Sequence, residues 1–260
     1  MRKELTKFLV TALISLMIPA LVAGCGRVDS EKIQEEFASL LLEAPSGKSV
    51  KTVEEFLLRN MTYLNEEQAG EMLTEFENYA SAFDEDYFDY AEIIETYGEY
   101  ISPALREIYE CRELEQETPM AVDAVPLISW EELADRALAV ESVIREYPDD
   151  VTAKADALWL YGGYINGMLM GMNGPPVFDY ASRRFNPEAM RVYDEFVAAN
   201  SGSTAAWVVS EYRKYLEGVD GELFYENSDD NEVKAGFSEF CAWLVSEAQS
   251  RVYEKRENGS

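Results

Sequence analysis

The chain predicts an all-α protein, a multi-helix array of antiparallel helical hairpins with about nine helices. Three observations predict it. Helix start signals recur along the sequence, apolar residues between them repeat with a period near 3.6, and no run alternates apolar and polar residues as a half-buried strand would.

The start signals are of two kinds. Thr52-Val-Glu-Glu55, Asn65-Glu-Glu-Gln68 and Ser129-Trp-Glu-Glu132 set a capping side chain three residues before a carboxylate or amide, the pattern of a capping box. Ser102-Pro103 and Asn186-Pro187 set a capping side chain before a proline, whose missing N–H costs nothing at the first helical position. Amphipathic runs follow, among them "VEEFLLRNMTYL", "EQAGEMLTEFENYASAF", "ALREIYECREL" and "VKAGFSEFCAWLVSEA". The longest interruptions are Glu117 to Ser129, Asn173 to Pro187 and Gly218 to Glu232. They predict an amino-terminal helical half over 31–117 and a carboxy-terminal half over 129–257 packed on it.

Within the second half, "WLYGGYINGMLMGMNGPP" repeats Gly163, Gly167 and Gly171 at every fourth position. Asn166 and Asn173 interrupt this stretch and Pro175-Pro176 ends it, so it is a poor membrane span. Each helical glycine costs about 1 kcal/mol relative to alanine. A flat face closely approached by another helix would offset that cost, and the stretch is read as a packing seam.

The chain carries 22 Lys and Arg against 50 Asp and Glu, a formal charge of −28. Such acidity repels nucleic acid and anionic lipid head groups, so no nucleic-acid partner is expected. With 47% hydrophobic and 12% aromatic residues there is material for a core, and the acidity describes a solvated surface. Histidine is absent. That removes Ser-His-Asp and Cys-His nucleophile systems, HExxH zinc sites and imidazole metal ligands. No phosphate-binding or nucleophile-elbow motif replaces them, so no catalytic residue, cofactor or metal site is assigned. The acidic segment Asp220 to Glu232 lacks the residue order of an EF-hand and is read as a solvated loop. Cys111 and Cys241 lie on apolar helical faces, as two separate buried thiols or as the ends of one disulfide.

The amino terminus places Arg2, Lys3 and Lys7 before an uncharged run from Phe8 to Gly26 that ends in "LVAGC". Leu21, Val22, Ala23, Gly24 and Cys25 resemble the lipobox of bacterial lipoprotein signal peptides. The resemblance implies removal of residues 1–24, a diacylglycerol thioether on Cys25 and a short lipidated tether over 25–30. Removing 1–24 takes three basic residues and one acidic residue from the totals of 22 and 50, leaving 19 and 49. Membrane attachment would then come from acyl chains on Cys25 and not from a basic patch. The expected location is the extracytoplasmic face of the cell membrane.

The stretch "RALAVESVIREYPDDVTAKADALWLYGGYI" reads as helix, Tyr147-Pro148-Asp149 corner, helix. It resembles the helix-corner-helix of tetratricopeptide repeats, with Leu158, Tyr161, Gly162 and Ile165 in the places of that family's large and small packing residues. A fainter echo follows in "MRVYDEFVAANSGSTAAWVVSEYRKYL". The 34-residue period of the family is not kept, so the resemblance implies helical hairpins and no particular activity.

The partner-binding candidates are Phe178, Tyr180, Arg183, Arg184 and Phe185, where two arginines lie among three aromatic residues in an acidic chain. Binding surfaces favour that mixture, and loops on a rigid scaffold are where function concentrates. The competing reading has the aromatics pinning the loop to the core. The expected function is a lipid-anchored, non-catalytic helical scaffold or binding module of the cell envelope, with a protein or cell-wall partner. The alternative is a glycan-cleaving enzyme working with paired carboxylates, which needs no histidine.

Overall fold

A computed structural model describes residues 29–84, 86–123, 125–171, 178–179, 184–218 and 231–254. Ten α-helices and two two-stranded hairpins are present among them, an all-α fold with close to the expected number of helices. The chain divides into two compact units, one ending at Leu64 and one beginning at Asn65.

The first unit holds α1 (Ser30–Leu40), α2 (Gly47–Asn60) and a 3-10 turn (Met61–Tyr63). Asp29 caps α1 by accepting from the Glu31 N–H. Ser46 and Ser49 form the capping box of α2, each hydroxyl accepting from the other's backbone N–H. The expected helix start at Thr52 is therefore corrected. Thr52 lies inside α2 and its hydroxyl donates to the Lys48 carbonyl. The apolar stripe already begins at Val50 and continues through Val53, Phe56 and Leu57, all buried, so the helix must start well before Thr52 to present it. Ile33 and Phe37 of α1 are buried too, with the Phe37 and Phe56 ring centroids 6.2 Å apart.

The second unit begins with α3 (Glu66–Ser81), α4 (Tyr90–Tyr97) and α5 (Pro103–Glu117). The expected caps form at Asn65, with its reciprocal Gln68 bond, and at Ser102 before Pro103. A hairpin of β1 (Ala121–Val122) and β2 (Val125–Pro126) leads into α6 (Trp130–Glu146), capped by Ser129. Here the box is incomplete, because the Glu132 carboxylate turns to Arg136. α7 (Lys154–Met170) follows after a corner in which Asp150 accepts from the Thr152 hydroxyl and the Ala153 N–H. Strands β3 (Phe178–Asp179) and β4 (Arg184–Phe185) pair antiparallel, and α8 (Pro187–Ala199), α9 (Thr204–Gly218) and α10 (Asn231–Arg251) complete the chain.

α7 is the glycine-rich stretch, and it packs against α6, α9 and α10 at once. Its apolar residues fill the sides that meet these neighbours: Leu160, Tyr161, Tyr164, Ile165, Met168 and Leu169 are all buried, while Ala155, Trp159 and Asn166 mark one exposed stripe. No described helix is long and apolar enough to cross a membrane.

The seam expected at Gly163, Gly167 and Gly171 is corrected at Gly163 and Gly171. The crowded position is Gly162, where a Cβ would stand 2.6 Å from Nε2 of Gln249 on α10. That amide donates to the Leu158 carbonyl, so it cannot swing away without losing a hydrogen bond. A Cβ at Gly163 would meet only the Met120 methyl at 3.8 Å, an ordinary contact. Gly171 lies beyond the last turn of α7 at φ 64°, a conformation that needs glycine and ends the helix. Fourfold spacing identified a glycine stripe, but which side met a neighbour was set by where α10 docks.

Candidate functional site

Of the expected partner-binding residues, Arg184 and Phe185 are described with their side chains. Phe178 is described as a strand residue that pairs with Phe185. Tyr180, Arg183, the lipidation candidate Cys25 and most of the acidic segment 220–232 lie outside the described residues. Arg184 is exposed. Phe185 is buried, its ring centroid 5.8 Å from Tyr193 and 5.9 Å from Tyr212. Those two tyrosines donate their hydroxyls to the Met168 and Leu169 carbonyls, which the end of α7 leaves without helical partners. Phe185 thus anchors the segment to the core and Arg184 points outward from that anchor.

Beside this anchor is a partly enclosed pocket of about 230 Å³. Met120 and Ile128 from the first hairpin, Trp130 and Leu133 of α6, Gly167 of α7 and Glu188 of α8 line it. Gly167, buried in α7, is one of the lining residues, so this expected seam position borders a cavity. The Trp130 ring meets Tyr193 edge-on at 6.3 Å, which connects the pocket wall to the residues that hold Phe185.

The structure also gathers three carboxylate centres that no local pattern marked. In the first, buried Glu141 of α6 accepts from the Thr204 N–H at 2.7 Å through one oxygen. Its other oxygen accepts from the Ala205 N–H and the Tyr161 hydroxyl, both at 2.9 Å. Arg145 pairs with the same group at 2.5 Å. In the second, Glu115 of α5 accepts from Arg136, the Tyr164 hydroxyl and the Met120 N–H. Both carboxylates have partners on each oxygen.

The third centre is different. Oε1 of Glu77 on α3 accepts from Arg112 at 2.9 Å and from the Tyr90 hydroxyl at 2.6 Å. Its Oε2 is buried with no hydrogen-bond partner. The Arg112 guanidinium lies 5.2 Å from the Tyr90 ring centroid and 4.7 Å from that of exposed Trp159. A cavity of about 460 Å³ opens here, lined by Glu77, Asp86, Phe88, Tyr90, Arg112 and Glu115 among others.

Asp156 of α7 belongs to the same neighbourhood. Burial raises its carboxyl above the ordinary value and the Glu77 charge raises it further, while Arg112 opposes them. A carboxyl raised on folding destabilises the fold once ionised, so its contribution worsens as pH rises from the ordinary aspartate value through the raised one. Asp156→Asn should therefore have a higher urea midpoint than wild type at pH 7. The gap should close at pH values below the ordinary aspartate range; a gap independent of pH would contradict this account.

Nucleophilic chemistry has little support in the described residues. Cys111 and Cys241 are free thiols, not a disulfide. Burial pushes the first up to about 11, helped by Glu110 and Glu107, and the second up to about 12. Both are held in the unreactive thiol form at neutral pH. Among the described residues no group of three or more His, Cys, Asp or Glu side chains is placed to hold a metal ion.

Fold and site together define an all-α protein built of packed helical hairpins, with an apolar pocket beside an anchored arginine-bearing segment and a separate acidic cleft. No family model, curated protein or solved structure matches the chain.

Proposed function

We propose that the protein is a lipid-anchored component of the bacterial cell envelope, held at the extracytoplasmic face of the membrane by acyl chains on Cys25. It acts there as a non-catalytic helical binding module for a protein or cell-wall partner. The lipobox carries the location. The observation that carries the binding role is the pocket at Gly167, Trp130 and Glu188, next to a segment whose Phe185 is fixed in the core while Arg184 faces solvent. A partly apolar pocket with a few polar groups at its wall, Glu131 and Glu188 among them, is the kind of concave surface a partner side chain can fill.

A second reading, glycan cleavage by paired carboxylates, is favoured by one observation. Burial and the Glu77 charge raise the carboxyl of Asp156, and Glu77 itself lines an open cleft.

Two experiments test these readings. Cys25→Ser should take up no labelled fatty acid and should accumulate as precursor; acyl labelling equal to wild type would remove the anchor. Purified peptidoglycan incubated with the soluble domain should sediment protein without releasing soluble fragments if the wall is the partner. Release of fragments would favour the enzyme. If neither occurs, a protein partner is left, and its capture from envelope extract should be lost in Arg183→Ala/Arg184→Ala. That variant should keep its stability within about 0.5 kcal/mol of wild type; capture unchanged in it would assign the loop a structural role only.

A further inference from the structure

The surface built by α9 and α10 carries a row of aromatic rings. Tyr215 stacks on Phe240 at 4.4 Å, Phe240 lies 5.8 Å from Trp243, and Trp243 meets Trp207 edge-on at 6.3 Å. Tyr215, Phe240 and Trp207 are half-buried and Trp243 is 47% exposed. Val208, Val209, Leu216 and Leu244, all buried, fill the inward faces of the same helices, so the row is an outward feature.

The row ends in a cavity of about 240 Å³ whose walls include Trp207, Arg145, Arg251, Ser201, Ser203 and Glu254. Its charge sets it apart. The pocket at Gly167 and the cleft at Glu77 have more carboxylates than cations in their walls, whereas here two guanidinium groups face one carboxylate in a chain of formal charge −28. Arg145 is committed to Glu141 and Thr204. Arg251 is held but not used up. Its Nε donates to Glu247 at 2.8 Å and its guanidinium lies 3.9 Å from the Trp207 ring centroid, which together fix the plane of the group. Its two terminal nitrogens have no hydrogen-bond partner among the described residues. That free edge is the fork that grips a carboxylate through two parallel hydrogen bonds.

Rings and fork suit different parts of one ligand. Nucleic acid is repelled by the charge of the chain. Side chains that anchor protein interfaces sit in desolvated pockets, and this cavity is open and walled by hydroxyls and charges. A sugar fits such a surface, since its C–H face lies against an exposed aromatic ring while its hydroxyls exchange hydrogen bonds with groups such as Ser201 and Ser203. Trp243, Trp207 and Arg251 follow one another at 6.3 and 3.9 Å, close enough for one short ligand to touch both ends.

We propose that this surface binds an acidic glycan, with a sugar ring on Trp243 and a sugar carboxylate in the fork of Arg251. It shares no lining residue with the pocket at Gly167 and needs neither the lipid anchor nor the Arg184 segment.

The test is a titration of the isotope-labelled protein with N-acetylmuramic acid at pH 7 and constant ionic strength, followed through the indole N–H resonances of its four tryptophans. N-acetylmuramic acid is N-acetylglucosamine with a carboxylate on a lactyl arm, so the two sugars isolate the charge. The expected result is saturable shifts at Trp207 and Trp243, with Trp130 and Trp159 unmoved and half-saturation at about 5 mM, the range for so small a ligand. N-acetylglucosamine should bind at least about fivefold more weakly, as should N-acetylmuramic acid to Arg251→Gln. Trp243→Ala, read at Trp207, should weaken both sugars by about fivefold. Circular dichroism must show that the variants are folded. Should Arg251→Gln not fold, Glu254→Gln decides, since removal of the opposing charge should tighten binding of the acidic sugar about twofold. The proposal is overturned by no saturation up to about 100 mM, by equal affinity for the two sugars, by unchanged affinity in a folded Arg251→Gln or Trp243→Ala, or by unchanged affinity in Glu254→Gln when that variant must decide. N-acetylalanine, a carboxylate without a sugar ring, reproducing the curve would overturn it too, since that would mark a site for peptide carboxylates.

Discussion

Glu141→Ala should lower the stability of the protein by about 3 to 5 kcal/mol, a large part of what a domain possesses. The reason is the number of groups that this one carboxylate serves. α9 begins at Thr204, and the first backbone N–H groups of a helix have no partner within it. The Ser203 hydroxyl accepts from the Ala206 N–H, while Glu141 accepts from the Thr204 and Ala205 N–H groups. The negative charge also sits at the positive end of the helix dipole. Alanine would leave two buried donors, the Tyr161 hydroxyl and the Arg145 charge without their acceptor. Glu141→Gln keeps the shape but turns an amide NH₂ toward donors, so it should fall between alanine and wild type. Urea unfolding followed by fluorescence measures the difference. A midpoint shift equivalent to less than about 0.5 kcal/mol, the effect of an ordinary surface change, would show that water replaces the carboxylate.

Arg136→Ala should have an effect of similar size, about 3 to 5 kcal/mol, for the opposite charge. Arg136 is 5% exposed and ties α6 to the carboxy-terminal end of α5. Its guanidinium donates to Glu115 at 2.5 Å, to Glu132 at 2.9 Å and to the Thr118 carbonyl at 2.8 Å. Thr118 is the carboxy-terminal cap of α5, so the arginine both neutralises Glu115 and occupies a carbonyl at the negative end of that helix. Without it Glu115 keeps only the Tyr164 hydroxyl and the Met120 N–H, and its charge has no counterpart. Arg136→Ala combined with Glu115→Gln should therefore lose less than Arg136→Ala alone. Equal losses would mean that the cost comes from the Thr118 carbonyl and lost packing, not from the orphaned charge.

These two residues mark the boundary of what a linear reading reaches. Asn65, Ser102, Ser129 and Asn186 were legible as helix starts because each caps a backbone N–H two or three residues ahead. The all-α fold followed from such local signals together with the apolar period, and α2 began earlier than expected because its buried stripe starts at Val50 and Ser46 with Ser49 supplies the capping box ahead of it. The site was less legible. Arg184 and Phe185 were selected for one reason, an arginine and aromatic cluster, and the fold gave them opposite environments. Burial of Phe185 depends on Tyr193 and Tyr212, which belong to two later helices.

The sequence by itself determined the helices, the acidic surface, the absence of histidine chemistry and the lipobox resemblance, because each is written in adjacent residues or in composition. Only the tertiary structure decided which of 50 acidic side chains matter. Glu141 reaches its helix across 63 and 64 positions, and Arg112 reaches Glu77 across 35. In so acidic a chain one more carboxylate carries no signal until packing removes it from water. Once removed, it must find donors, and the centre at Glu77 stands apart because one of its oxygens has none.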